Sequence, residues 1–277
     1  MFGSSYKLTR VWGIPIRVHI TLVLLLPVVL LGLPPAQWLA GLLVMVGVFG
    51  SIALHELGHS LVAIRRGYRV REITLLPIGG LALMDRAPER SGDELAIALA
   101  GPGVSLALAA LFRLLATALG GGAAPGPGGL ALLLARLNLV LAFFNLLPSF
   151  PMDGGRVYRA WLTPFFGRLE ATRRAARLGR FLALVFGIWS LLHFRWLNVA
   201  IAVFIYQAAG AEYRAVAQQA TMRNLFGPEA SEPSRRVFSE NDADVYVSPP
   251  PYARAERRPS LWRRLQARIR RVYDDLL

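Results

Sequence analysis

The chain of 277 residues contains no cysteine, which excludes disulfide frameworks, cysteine-ligated zinc and thiol catalysis together. It has only four histidines, so a metal centre must draw on those and on carboxylates. Charge is scarce as well. Asp, Glu, Lys and Arg make up 17% of the residues, against roughly 25% in an ordinary soluble domain. Acidic residues are the scarcer sign, 17 against 31 basic ones, for a net charge of +14. The remainder is dominated by apolar residues, 55% of the chain, with a mean hydropathy of +0.45. The basic residues fall between long apolar runs instead of coating one face. This excludes a single soluble domain and describes an all-α polytopic membrane protein.

A membrane-spanning helix needs about 20 mostly apolar residues. Val18 to Leu33, Gln37 to Ile64, Leu95 to Leu119 and Leu130 to Leu147 meet that need, and Phe181 to Phe194 and Trp196 to Ala209 are shorter runs. Together they predict about six transmembrane helices, the last two forming a hairpin. The first run follows Lys7 and Arg10 but carries Pro27 and no small-x-small cleavage site, so it is expected to be retained, not removed as a signal. With the amino terminus inside, every loop assigned to the inner side is rich in Lys and Arg, and the outer loops hold only Arg195. The positive-inside tendency therefore favours a multi-pass protein of the cell membrane with both termini cytoplasmic. Arg113 and Arg136 fall inside spans without a carboxylate partner evident in the sequence.

Between the second and third spans, Val70, Ile73, Leu75 and the stretch Ile78 to Leu83 flank a Pro-Ile-Gly-Gly turn. A short β-hairpin on the inner side, with free edges, is one reading, and an ordinary connecting loop is the other. Domain organisation reads as a transmembrane core over 1–210, a largely disordered linker over 211–259 rich in Pro, Ser, Glu and Arg, and a basic amphipathic helix over 260–277. In that last segment Leu261, Trp262, Leu265, Ile269, Val272 and Leu276 recur at helical spacing opposite five arginines. It is expected to contact anionic lipid at the bilayer surface, and no nucleic acid partner is expected.

The chemistry is concentrated in His55-Glu56-Leu57-Gly58-His59, inside the second span. Positions i and i+4 of a helix lie about 40° apart around its axis, so both imidazoles can converge on one zinc ion. Glu56, beside them and not a ligand, can then serve as a base toward water. Ionisable groups at the centre of a span cost at least about 2.5 to 3.5 kcal/mol each, so a Glu and two His in one span point to a function. Hydrolytic zinc usually takes three protein ligands. His19 and His193 sit at poorly suited ends of their spans. Asp153 lies where Asn145-Leu146-Leu147-Pro148 ends one span and Met152-Asp153-Gly154-Gly155 begins the next segment. It reads equally as the third ligand or as the N-cap of the helix that follows.

The paired motifs, His55 to His59 and then Asn145-Leu146-Leu147-Pro148-Ser149-Phe150-Pro151-Met152-Asp153-Gly154-Gly155-Arg156 about 90 residues later, resemble the site-2 protease family of intramembrane zinc metalloproteases. The resemblance runs from about Ile14 to Ala209 and includes Pro77-Ile78-Gly79-Gly80 and Ala100-Gly101-Pro102-Gly103. It implies one zinc held by His55, His59 and Asp153, with Glu56 as general base and later proton donor. It further implies that Asn145 faces the substrate or the developing oxyanion, and that Gly79 and Gly80 belong to a hairpin that engages an unwound substrate helix. The implied substrate is a membrane-anchored protein, cut in or near its transmembrane segment within the lipid bilayer. The sequence departs from relatives that carry PDZ-like inserts or paired nucleotide-sensing modules of the cystathionine-synthase type, having neither. A divalent-metal transporter and a catalytically silent membrane scaffold are the competing readings. The first is disfavoured by the lack of carboxylates in the outer halves of the spans, the second by the intact Glu56.

Overall fold

The computed structural model describes residues 5–77, 79–88, 90–120 and 126–226. Strands β1 (Ser5–Val11) and β2 (Ile14–His19) precede helix α1 (Ile20–Leu31). A 3-10 turn, Pro35–Gln37, then leads into α2 (Trp38–Arg65). Strands β3 (Val70–Leu76) and β4 (Gly79–Met84) follow, then α3 (Ser91–Ala118), α4 (Pro127–Asn145), α5 (Asp153–Leu192) and α6 (Trp196–Phe226). The chain divides into a unit of residues 1–214 and a second of residues 215–277. Of the second, only the end of α6 is described. The linker and the basic terminal helix expected from the sequence otherwise lie outside the described residues.

Among the described residues, four helices are long and apolar enough to cross a membrane: Pro35–Arg65, Ser91–Ala118, Pro127–Asn145 and Asp153–Leu192. The first expected span is shorter than its apolar run. Val18 and His19 end strand β2, and His19 caps α1 by accepting the Thr21 amide at Nδ1. The 12 residues of α1, at 1.5 Å each, reach about 18 Å, short of a hydrocarbon core of about 30 Å. The run Phe181 to Phe194 forms the end of a much longer helix. α5 starts at Asp153 and is interrupted at Gly167, whose φ of 75° and ψ of 161° leave the helical region. Its arginine-rich stretch is helical.

The expected inner hairpin is present as β3 and β4, paired antiparallel from Val70 opposite Met84 to Leu76 opposite Gly79. It belongs to a larger sheet. β1 and β2 form a second hairpin through Trp12 and Gly13, both at positive φ, and β2 runs parallel to β3, giving the order β1-β2-β3-β4. Among the described residues, only β4 of the β3–β4 hairpin therefore keeps a free edge. Ile14 and Ile16 of β2, Ile73 and Leu75 of β3, Leu22 of α1 and Leu57 of α2 form one buried cluster. Leu57 sits between the two motif histidines in sequence, so the face of α2 turned to the sheet is fixed by apolar burial. His55 and His59, about 160° away around the helix, are then turned from it.

A second anchor is ionic. Glu94, in the first turn of α3, accepts from the Arg159 guanidinium of α5, which also donates to Glu212 of α6 at 2.6 Å. Glu94 and Arg159 are 3% and 4% exposed. Arg168 adds a longer contact to Glu94 at 3.7 Å and donates to the Pro88 carbonyl at 2.6 Å. Arg159 is thus a buried tie between three helices. Arg113 and Arg136 are exposed on α3 and α4.

Candidate metal centre

Three helices build the centre. α2 contributes His55 and His59 from adjacent turns, and α5 contributes Asp153 from its first residue. His55 Nε2 lies 3.2 Å and His59 Nε2 3.1 Å from Asp153 Oδ2, and the two ring nitrogens are 3.1 Å apart. Both rings are buried, and Asp153 is 9% exposed. Asp153 does not cap its helix. Met152 holds the N-cap position without a side-chain bond, and Asp153 Oδ2 is turned to the histidines. These are the described residues that group as possible metal ligands.

The third helix, α3, orients the rings. His59 Nδ1 donates to the Ile97 carbonyl at 2.7 Å, and His55 Nδ1 pairs with Ser105 Oγ at 2.8 Å. A carbonyl only accepts, so the His59 proton sits on Nδ1 and its Nε2 lone pair points to the centre. Ile97, Gly101 and Ser105 recur every four residues along one face of α3. Gly101, between the two hydrogen-bonding positions, has no side chain where one would strike the ligands. A Cβ there would collide with His59 Nε2 and lie 2.7 Å from His55 Nε2. Removing that methyl leaves a space bounded by the very atoms that would bind an ion.

The donor set fits zinc on three counts. It combines imidazole with carboxylate, the ligand types zinc accepts when cysteine is absent. An ion about 2.0 to 2.1 Å from each donor in tetrahedral geometry separates them by roughly 3.3 Å, close to the 3.1–3.2 Å observed. The outward ring nitrogens are already engaged, the arrangement that holds a ligating histidine in one tautomer.

Glu56 stands apart from the ligand set, half-buried and turned to the sheet. A Cβ on Gly80 of β4 would collide with its side chain and come within 3.1 Å of Oε1. The missing side chain at position 80 therefore admits the carboxylate against the free-edged strand. Gly79, at φ 138°, opens that strand. Asn145 ends α4 half-buried, its Nδ2 donating to the Leu141 carbonyl at 3.0 Å. His19 and His193 make local helix-end contacts to Thr21 and Trp189 and take no part in the centre. Ile97 and Ser105 were missed in the sequence. No signal within α3 alone marks them, because their role depends on α2 lying against that face.

Peptidase family M50 matches residues 43–124 and 122–186, which together hold all three candidate ligands and Glu56. A zinc metalloprotease of Methanocaldococcus jannaschii is 37% identical over 249 residues, covering 88% of this chain and 68% of that protein. The chain belongs to peptidase family M50, the site-2 protease family. The solved site-2 protease from M. jannaschii superposes with a TM-score of 0.56 at 37% identity, over 76% of this chain and 95% of that one. The stage IV sporulation protein FB of Bacillus subtilis is a more distant relative, 27% identical over 166 residues, or 59% of this chain and 56% of that protein. As an M50 member with membrane-length apolar helices, the chain is a membrane metalloprotease.

Proposed function

We infer that the chain is an intramembrane zinc endopeptidase that performs regulated intramembrane proteolysis, cutting a membrane-anchored protein in or near its transmembrane segment. The observation that carries this reading is the convergence of His55, His59 and Asp153, with their outer nitrogens engaged by α3, inside helices long enough to span a bilayer. In this account those three residues hold one zinc ion per chain. The ion supplies Lewis acidity toward the scissile carbonyl and toward water.

The protein's own groups do the rest. Glu56 takes the proton from the attacking water and returns it to the leaving amine nitrogen. Gly80 keeps its carboxylate next to the edge of β4. A helical substrate hides its amides in internal hydrogen bonds, so cutting requires an unwound stretch. The unpaired edge of β4, from Gly79 and Gly80 onward, can hold such a stretch by strand addition. Asn145, at the end of α4 and eight residues before Asp153, is assigned to the substrate carbonyl side. The distribution of arginines supports a multi-pass cell-membrane protein with cytoplasmic termini.

The test is cleavage of a single-span reporter co-reconstituted in lipid vesicles, with the cut located by mass spectrometry. The account expects a cut in or beside the apolar segment, abolished by a zinc chelator and restored by added zinc. A cut confined to distant soluble loops, or one indifferent to chelation, contradicts it.

A further inference from the structure

Asp153 reaches the histidines from a segment that is held on several sides. Phe150, just before Pro151 and Met152, is 2% exposed and packs against Ala175 and Ala176 of α5 and Ala209 of α6. The backbone there lies flush against α5. A Cβ on Gly155 would come within 2.7 Å of the Phe150 amide nitrogen, and one on Gly179 within 2.5 Å of Ser149 Oγ. Over the Phe150 ring, 5.0 Å from its centroid, stands the Arg159 guanidinium.

The same guanidinium grips the helix that orients the other side of the centre. Its Nε donates to Glu94 Oε1 at 2.8 Å, and Nη2 donates to the same oxygen. Glu94 precedes Ile97 by one turn of α3, and the Ile97 carbonyl accepts from His59 Nδ1 at 2.7 Å. Nη1 donates to Glu212 of α6 at 2.6 Å. One planar group therefore touches the segment that delivers Asp153, the turn of α3 that fixes His59, and α6.

Stability alone does not account for this arrangement, because well-packed apolar residues of similar volume hold helices together as well as a buried ion pair does. What apolar packing lacks is direction. The guanidinium donors lie in a rigid plane, so meeting Glu94, Glu212 and the Phe150 ring together fixes both the height and the rotation of α5 against α3. A metal site demands that precision, with ligands held to within about 0.5 Å of the working geometry. Here the 3.1 Å between His59 Nε2 and Asp153 Oδ2 is set across two helices.

We propose that Arg159 is a positioning residue for the metal centre, setting the placement of Asp153 relative to His59 through Phe150 and Glu94. This rests on the zinc protease reading above and adds what a buried arginine does less than two turns beyond a ligand. Zinc affinity and fold stability then depend on Arg159 for different reasons, and substitutions can separate them.

The experiment measures zinc affinity by chelator competition and stability by denaturant titration on the same preparations, using the full chain in detergent micelles. The decisive variant is the triple change Glu94→Leu, Arg159→Met, Glu212→Leu, in which no charge is left unpaired. It is expected to unfold near the wild-type denaturant concentration and yet to bind zinc about tenfold or more weakly, the usual loss when the support of a ligand is removed. A merely structural arginine would let zinc affinity return together with stability. If the triple variant does not fold, Phe150→Leu decides instead. It retains an apolar side chain and both ion pairs but removes the ring beneath the guanidinium, and it is expected to weaken zinc binding severalfold. Wild-type zinc affinity in the folded triple variant, or in Phe150→Leu where that variant decides, overturns the positioning role and leaves the protease reading intact. Failure of wild type to bind zinc overturns both.

Discussion

Glu56→Gln should reduce reporter cleavage by about 10²- to 10⁴-fold, the range supplied by a positioned general acid–base group, and should leave the zinc content of the protein unchanged. The reasoning is geometric. Glu56 sits outside the cluster formed by His55, His59 and Asp153, so the amide removes no ligand. Gln has nearly the shape of Glu and still fits the space that Gly80 leaves open. What it loses is the ability to take and return a proton. An undiminished rate would remove Glu56 from the mechanism, and loss of zinc would make it a ligand. Either result is read by pairing a rate measurement with metal analysis of the same preparation.

Arg159→Met should destabilise the protein by about 3–5 kcal/mol, the usual cost of removing one partner from a buried ion pair. Glu94 is 3% exposed and its carboxylate is answered by the Arg159 guanidinium. Without it, Glu94 keeps only the 3.7 Å contact to Arg168, and Glu212 loses its 2.6 Å bond. Asp153 begins the helix that carries Arg159, so this loss also loosens the element that positions a candidate ligand. Denaturant titration in detergent micelles measures the effect. The triple change Glu94→Leu, Arg159→Met, Glu212→Leu should recover most of the lost stability, because apolar replacements leave no charge unpaired. Equal stability of wild type and Arg159→Met would mean that the network is solvated and carries no load.

The features legible in sequence are those that one segment encodes by itself. His55 and His59 share a helix face by their spacing alone, and the apolar lengths of α2, α3 and α4 announce spanning helices without reference to any neighbour. Asp153 was legible as a candidate but not as a choice. Cap and ligand make the same local demand, and only the approach of α2 shows where its carboxylate turns. The β1–β2 hairpin was missed because Ser5 to His19 mixes arginines, a proline and apolar residues and runs directly into an apolar helix. Its apolar residues Ile14 and Ile16 acquire meaning only against Ile73 of a strand more than fifty residues away. Ser105 and Ile97 were invisible for the same reason. Nothing in α3 marks a serine hydroxyl or one carbonyl as a partner for imidazole until α2 lies against it. Arg159 could not be picked out in the sequence because its two carboxylate partners come from the start of α3 and from α6.

The central claim is that His55, His59 and Asp153 hold one zinc ion, and metal analysis of the purified full-length protein tests it most directly. Wild type should carry about one zinc per chain, with X-ray absorption showing two imidazole nitrogens and at least one carboxylate oxygen about 2.0–2.2 Å from the metal. Asp153→Ala should lose most of that zinc at the same chelator concentration. Stoichiometric zinc retained in Asp153→Ala, with an unchanged absorption spectrum, would contradict the account.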